Sequence, residues 1–222
     1  MLNQGEYGGT IIKRRGIDFG AIIDIVFVVL IALTVAFIWR TQVTMSRGVD
    51  GRSMQPTYNN TAEYYGGVHD TVRITKLSPI RRGDIVVFEA KGLLGSDGKP
   101  KLLIKRVIGK GGDTLKFTQG ENGTVEIYRN GGLLSEPYIK RNADGAPLFE
   151  YNKNGKWKYE LNKEFPVPKG CYFVMGDNRN DSTDSRFESV DFIASSQIEG
   201  KVYLDVPYGE NVISALWDKV FG

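Results

Sequence analysis

Leu102-Leu103-Ile104-Lys105-Arg106-Val107-Ile108-Gly109 is an apolar run with two adjacent cations at its centre. It reads as a buried β-strand, since it is short, rich in branched apolar residues and closed by glycine. Successive side chains of a strand point to opposite faces, so Lys105 and Arg106 cannot both face solvent on a half-buried strand. Two readings of Lys105 follow. On the exposed face of an edge strand it is a solvated lysine. Facing inward, it loses hydration, and desolvation together with nearby cations lowers its pKa toward that of a general base working near neutrality.

Outward from this stretch the chain keeps the same rhythm of short β segments broken by glycine. Thr71–Thr75 (T-V-R-I-T) and Val125–Tyr128 (V-E-I-Y) alternate, and Asp84–Phe88 (D-I-V-V-F) is a continuous apolar run suited to a strand covered on both faces. G-D-T-L-K-F-T from Gly112, Cys171–Met175 and Ile198–Leu204 complete the set. Regular turn signals with few helical patterns predict a mostly β domain of coiled or barrel-like antiparallel sheets. Arg141 to Lys163 is polar and aromatic, and is expected as an inserted hairpin or flap, being too short for a core of its own. Near the C-terminus, Val212, Ile213, Leu216, Trp217, Val220 and Phe221 share one helical face, which packs on the β body or lies on a membrane surface.

Gly20 to Trp39 is the one long apolar run, and twenty helical residues span about 30 Å, the thickness of bilayer hydrocarbon. Its single charge, Asp24, falls in the second turn, and Trp39 and Arg40 stand where a belt aromatic and a snorkelling cation belong. A buried core helix is disfavoured because the 15 uncharged residues from Ile25 to Trp39 leave no polar face. A cleaved signal peptide is disfavoured because the small pair Thr34 and Ala36 is followed by Phe37, Ile38 and Trp39. Lys13, Arg14 and Arg15 precede the run, against Arg40 and Arg47 after it, so the positive-inside rule predicts a cytoplasmic N-terminus. The expected organisation is therefore a cytoplasmic tail over 1–19, a single membrane helix over 20–39 and an extracytoplasmic β domain over 40–222.

The 222 residues carry a net charge of +3 with no run of five like charges, which argues against nucleic acid as a partner. Cys171 is the only cysteine and excludes an intramolecular disulfide. His69 is the only histidine: a Ser-His-Asp triad has to use it, and zinc sites built on two or three histidines are excluded.

Two further stretches carry possible chemistry. G-R-S-M-Q-P-T, Gly51 to Thr57, sets Ser53 in a glycine- and proline-bearing turn, where a hydroxyl stands clear of regular structure; most such serines are solvated turn residues. G-D-N-R-N-D-S-T-D-S-R, Gly176 to Arg186, follows a strand segment directly. Such a dense polar loop is costly to bury unless its groups bond one another, and Asp177 and Asp184 offer partners to Arg106 and Arg186. Asp177, Asp181 and Asp184 also offer oxygens to calcium, but Arg179 and Arg186 would sit among the ligands and the spacing is not that of an EF-hand.

Together the three stretches, in order and content, resemble the bacterial type I signal peptidase (leader peptidase) family, serine proteases that remove signal peptides from exported proteins. S-M-Q-P-T resembles the nucleophile box, R-R-G-D-I-V-V-F from Arg81 to Phe88 a structural strand box, and I-K-R-V-I-G the base box, and Gly176 to Arg186 resembles the last box. The resemblance implies Ser53 as nucleophile and Lys105 as general base, with Ser182 hydrogen-bonding the lysine amine. It implies bracing ion pairs Asp177–Arg106 and Asp184–Arg186, and Met54, Leu103 and Ile104 along shallow pockets for small substrate side chains. The Ser53 backbone N–H would serve the oxyanion. Where some members add a second donor from a serine, this chain has Gly51, which leaves that role to a backbone N–H or a water. The implied partners are signal peptides of secreted preproteins and the lipid bilayer of the bacterial plasma membrane, with no nucleic acid, no metal and no cofactor.

Two rival readings differ in what they require. A self-cleaving repressor-type protease shares such a dyad but needs a DNA-binding domain, where this chain has an apolar span. A membrane-anchored binding module would use the polar loop to hold a ligand or calcium.

Overall fold

The computed structural model describes residues 19–38, 44–60, 69–120, 123–153, 155, 157–206 and 212–221. The chain divides into two compact units, Met1–Arg40 and Thr41–Gly222. In the first, α1 (Phe19–Ile38) is a 20-residue helix whose apolar side chains are exposed along its length. Thr34 satisfies its hydroxyl within the helix by donating to the Leu30 carbonyl at 2.8 Å. Lys13, Arg14, Arg15, Trp39 and Arg40, on which the predicted orientation rests, lie outside the described residues.

The second unit is β-rich, and its strands are β1 (Thr44–Gly48), β2 (Thr71–Thr75), β3 (Ile85–Leu94), β4 (Pro100–Lys110), β5 (Thr114–Gln119), β6 (Val125–Arg129), β7 (Gly132–Leu133), β8 (Glu164–Pro166), β9 (Cys171–Met175), β10 (Ile193–Ala194) and β11 (Ile198–Val206). A seven-stranded sheet runs β1-β2-β11-β3-β4-β9-β10, and a four-stranded sheet runs β7-β6-β5-β8. The ladders are antiparallel, as expected of short strands joined by turns. Register shifts in β11, between β3 and β4, and at Val107/Gly109 of β4 mark bulges, which bend strands and increase their twist.

β4 is an interior strand, paired with β3 on one side and β9 on the other, so Lys105 does not stand on an edge. One face of the large sheet packs Val49, Met54, Tyr58, Val72, Ile74, Val87 and Ile104, and another cluster gathers Val86, Phe88, Val107, Val174 and Ile193. The smaller sheet has an aromatic core of Phe117, Phe149, Trp157, Tyr159 and Phe173. Three of these come from the stretch expected as an inserted hairpin or flap. Among the described residues between 141 and 163 the β-pairing is limited to the isolated bridges Arg141–Pro147 and Thr124–Glu150, yet Phe149, Trp157 and Tyr159 are buried. The stretch is thus a plug of the second core. Its polar residues concealed three aromatics that fill a cavity formed by distant strands.

The C-terminal helix α2 (Val212–Phe221) packs only part of its apolar surface on the β body. It rests on Leu204, Val206 and Tyr203 through Ala215 and Val212, while Ile213, Trp217 and Val220 are exposed.

Candidate active site

Ser53 and Lys105 are 52 residues apart in sequence and meet in space, with Lys105 Nζ donating to Ser53 Oγ at 2.7 Å. A second donation from Nζ reaches the Ile104 carbonyl at 2.8 Å. Lys105 is 2% exposed. Its direct contacts are a hydroxyl and a carbonyl, neither of them an anion, so burial is uncompensated at the amine itself. Burial accordingly lowers its pKa to about 8; the Asp184 carboxylate opposes this and the Arg186 guanidinium adds to it. Arg106, on the opposite face of β4, does not go to solvent either: its side chain is 13% exposed and lies over the Tyr138 ring at 4.0 Å.

The expected bracing pairs are present. Arg106 donates to Asp177 through Nε at 2.8 Å and Nη2 at 2.6 Å, and Thr57 Oγ1 donates to the same carboxylate, tying the turn that carries Ser53 to β4. Arg186 grips Asp184 through Nε and Nη2, each at 2.7 Å. Burial pushes the Asp184 carboxyl upward, but Arg186 and the Gly176 and Ser182 donors outweigh it and hold it below the ordinary carboxylate range. Ser182 donates to Asp184 Oδ2 at 2.8 Å rather than to the lysine.

An open cleft is lined by Ser53, Lys105, Gly51, Leu103, Ile104 and Ser182, with Arg47, Arg52, Lys101 and Asp181 also on its walls. Met54, expected at a pocket, is instead 1% exposed and packs in the core with Val72 and Ile104. Its immediate neighbour Ser53 lines the cleft, so the two environments fall on consecutive residues. His69 is not among the lining residues and stands beside Asp50, 3.7 Å away. No group of three or more His, Cys, Asp or Glu side chains suited to a metal occurs among the described residues.

Several supporting contacts carry no signal in the sequence. Asn178 donates from its backbone N–H to the Ser53 carbonyl and from Nδ2 to the Arg52 carbonyl, each at 3.1 Å. Asn59 Nδ2 holds the Val49 carbonyl at 2.8 Å and the Gly51 carbonyl at 3.0 Å. Arg179, 1% exposed, pairs with Glu136 in a two-pronged contact at 2.6 and 2.8 Å. A Cβ at Gly176 would collide with Ser182 Oγ and the Ser53 carbonyl oxygen, so only glycine lets the two loops approach. The motif spelling Gly176–Arg186 marks the loop, but these partners come from segments far away in sequence.

Fold and site define the class: a mostly β protein presenting a serine hydroxyl and a buried amine in an open groove. The sequence profile described as "Signal peptidase, peptidase S26" matches residues 22–206. The chain is 36% identical over 165 residues to a signal peptidase I P of Bacillus subtilis subsp. natto, covering 74% of this chain and 78% of that one. It is 32% identical over 202 residues to a signal peptidase I of Bacillus amyloliquefaciens, covering 89% and 95%. Among solved structures, a signal peptidase I from Enterococcus faecalis V583 is similar at 27% identity and a TM-score of 0.39, over 58% of this chain and 100% of that one. The chain belongs to the signal peptidase S26 family and is a serine peptidase, a hydrolase that removes signal peptides from preproteins.

Proposed function

We propose that this peptidase works with Ser53 as nucleophile and Lys105 as general base, from a domain anchored to the bacterial plasma membrane by the helix over 20–39. The observation that carries the reading is the 2.7 Å contact between Lys105 Nζ and Ser53 Oγ around an amine that is 2% exposed. When the amine is neutral, it still has a hydrogen for the Ile104 carbonyl, and its lone pair meets the Ser53 hydroxyl. Ser53 Oγ then attacks the scissile carbonyl carbon while its proton passes to Lys105. The oxyanion forms at the Ser53 N–H, and collapse expels the mature protein's amine, which takes the proton back from Lys105. A water deprotonated by Lys105 then attacks the ester carbonyl, and Ser53 recovers its proton. Ser182 holds Asp184 and offers lone pairs toward the amine, while Asp177 with Arg106 and Asp184 with Arg186 keep the walls of the site in register.

Leu103 and Ile104, which line the cleft, support subsites limited to small side chains at the first and third positions before the cut. The exposed apolar length of α1 supports one membrane crossing. Lys13, Arg14 and Arg15 before the run, against Arg40 and Arg47 after it, support the tail over 1–19 in the cytoplasm and the domain over 40–222 outside. Neither a metal nor nucleic acid has a part in this reading. Detergent-solubilised full-length protein is tested on one preprotein, with the new N-terminus sequenced. Ser53→Ala and Lys105→Ala are each expected to cut kcat/KM by about 10³-fold or more, and His69→Ala to leave it within about twofold. A Lys105→Ala enzyme retaining a tenth of the activity would refute the dyad.

A further inference from the structure

Resting on the reading of Ser53 as nucleophile, we infer that Asn178 is the positioning residue that aims the oxyanion donor. The Arg52–Ser53 peptide is trans, so its C=O and N–H point in opposite directions. Whatever fixes the Arg52 carbonyl therefore fixes where the Ser53 N–H points. Two donors fill that carbonyl's lone pairs, Asn178 Nδ2 at 3.1 Å and Gln55 N–H at 3.1 Å. Asn178 also holds the far side of the nucleophile, donating its own N–H to the Ser53 carbonyl at 3.1 Å. The two peptides flanking the Ser53 side chain are thus both clamped by one residue that is itself 4% exposed.

The Ser53 N–H, by contrast, makes no hydrogen bond among the described residues, although Ser53 lines the cleft. A donor held in place and left unpaired at a substrate groove is a preorganised site for developing negative charge. The clamp matters more here because position 51 offers no side-chain donor. Gly51 sits at φ +84°, a conformation that disfavours any side chain even though the space around its Cβ position is open. The Ser53 N–H is then the donor that the chain itself fixes at this position, and Asn178 aims it.

The test uses the full-length protein with Asn178→Ala and the near-isosteric Asn178→Asp, which turns the donor into an acceptor facing the Arg52 carbonyl. Ser53→Ala is run alongside. Both Asn178 variants are expected to lose about 10- to 100-fold in kcat, part of the 10²–10³ carried by an oxyanion donor, with KM within about twofold. Affinity for a peptide aldehyde, whose adduct places its oxygen at the Ser53 N–H, should fall in parallel with kcat, and affinity for the product peptide should not. The acid limb of the rate profile should stay where Lys105 sets it. A kcat within twofold of the parent in folded Asn178→Asp overturns the inference, as does equal loss of aldehyde and product affinity. A shifted acid limb overturns it too, because Asn178 would then act through Lys105. If Ser53→Ala still cleaves, it is the dyad that falls; if Ser53→Ala is dead and Asn178→Asp is normal, only the clamp falls.

Discussion

Around β4 and the loop after β9 the protein buries Lys105, Asp177, Asp184, Arg179 and Arg186, whereas the four-stranded sheet buries Phe117, Phe149, Trp157 and Tyr159. The first region removes charge from water, an expense repaid only where each ion finds a partner. Asp177, Asp184, Arg179 and Arg186 do so in two-pronged pairs; Lys105 does not, and its uncompensated burial appears as a lowered pKa. The second region stabilises by apolar area and ring contacts, such as Tyr159 stacked on Phe165 at 3.9 Å. One region gives up stability to bury an amine, and the other supplies it. They meet where Arg186 lies 4.8 Å over Trp157 and Arg179 lies 5.0 Å over Phe149.

The sharpest way to break this division is Lys105→Met, an apolar chain of similar length. Cleavage should fall about 10³-fold or more while the melting temperature rises, because a poorly compensated buried amine is gone. A melting temperature that drops by several degrees would mean that the amine stabilises the fold. Calorimetry and peptide cleavage on one preparation decide the matter.

Phe117→Ala attacks the other side. A fully buried aromatic lost from a packed core costs about 3–5 kcal/mol, read as a lower urea midpoint, and kcat of the folded fraction should stay within about twofold. Loss of kcat in folded protein would show that the aromatic core reaches into the chemistry.

A smaller effect, at about tenfold per pH unit, is carried by the titration of Lys105. Only the neutral amine accepts the Ser53 proton, so kcat/KM should rise with slope near one below about pH 8 and level off above it. The Asp184 carboxylate raises the Lys105 pKa, so Asp184→Asn should move this limb to lower pH. Phe117→Ala should leave it in place. A profile flat from pH 5 upward would assign the base to another group.

The sequence alone determined what depends on neighbours along the chain. Thr71–Thr75 and Cys171–Met175 were legible to the residue, because strand period and turn residues are local properties. The 20-residue apolar helix was equally plain, shifted by one position. Residue type and motif order also singled out Ser53, Lys105 and the Asp–Arg pairs. The tertiary structure alone decided whether Lys105 is buried, since L-L-I-K-R-V-I-G fits an edge strand as well as the interior strand it forms. It sent Met54 into the core beside a cleft-facing Ser53 and turned the 141–163 stretch into a plug for the second core. It also joined Asn178 to Arg52 across 126 residues and paired Arg179 with Glu136 across 43. Desolvation and clamping are exerted by whichever distant segments fold against a group, and no short window of sequence contains them.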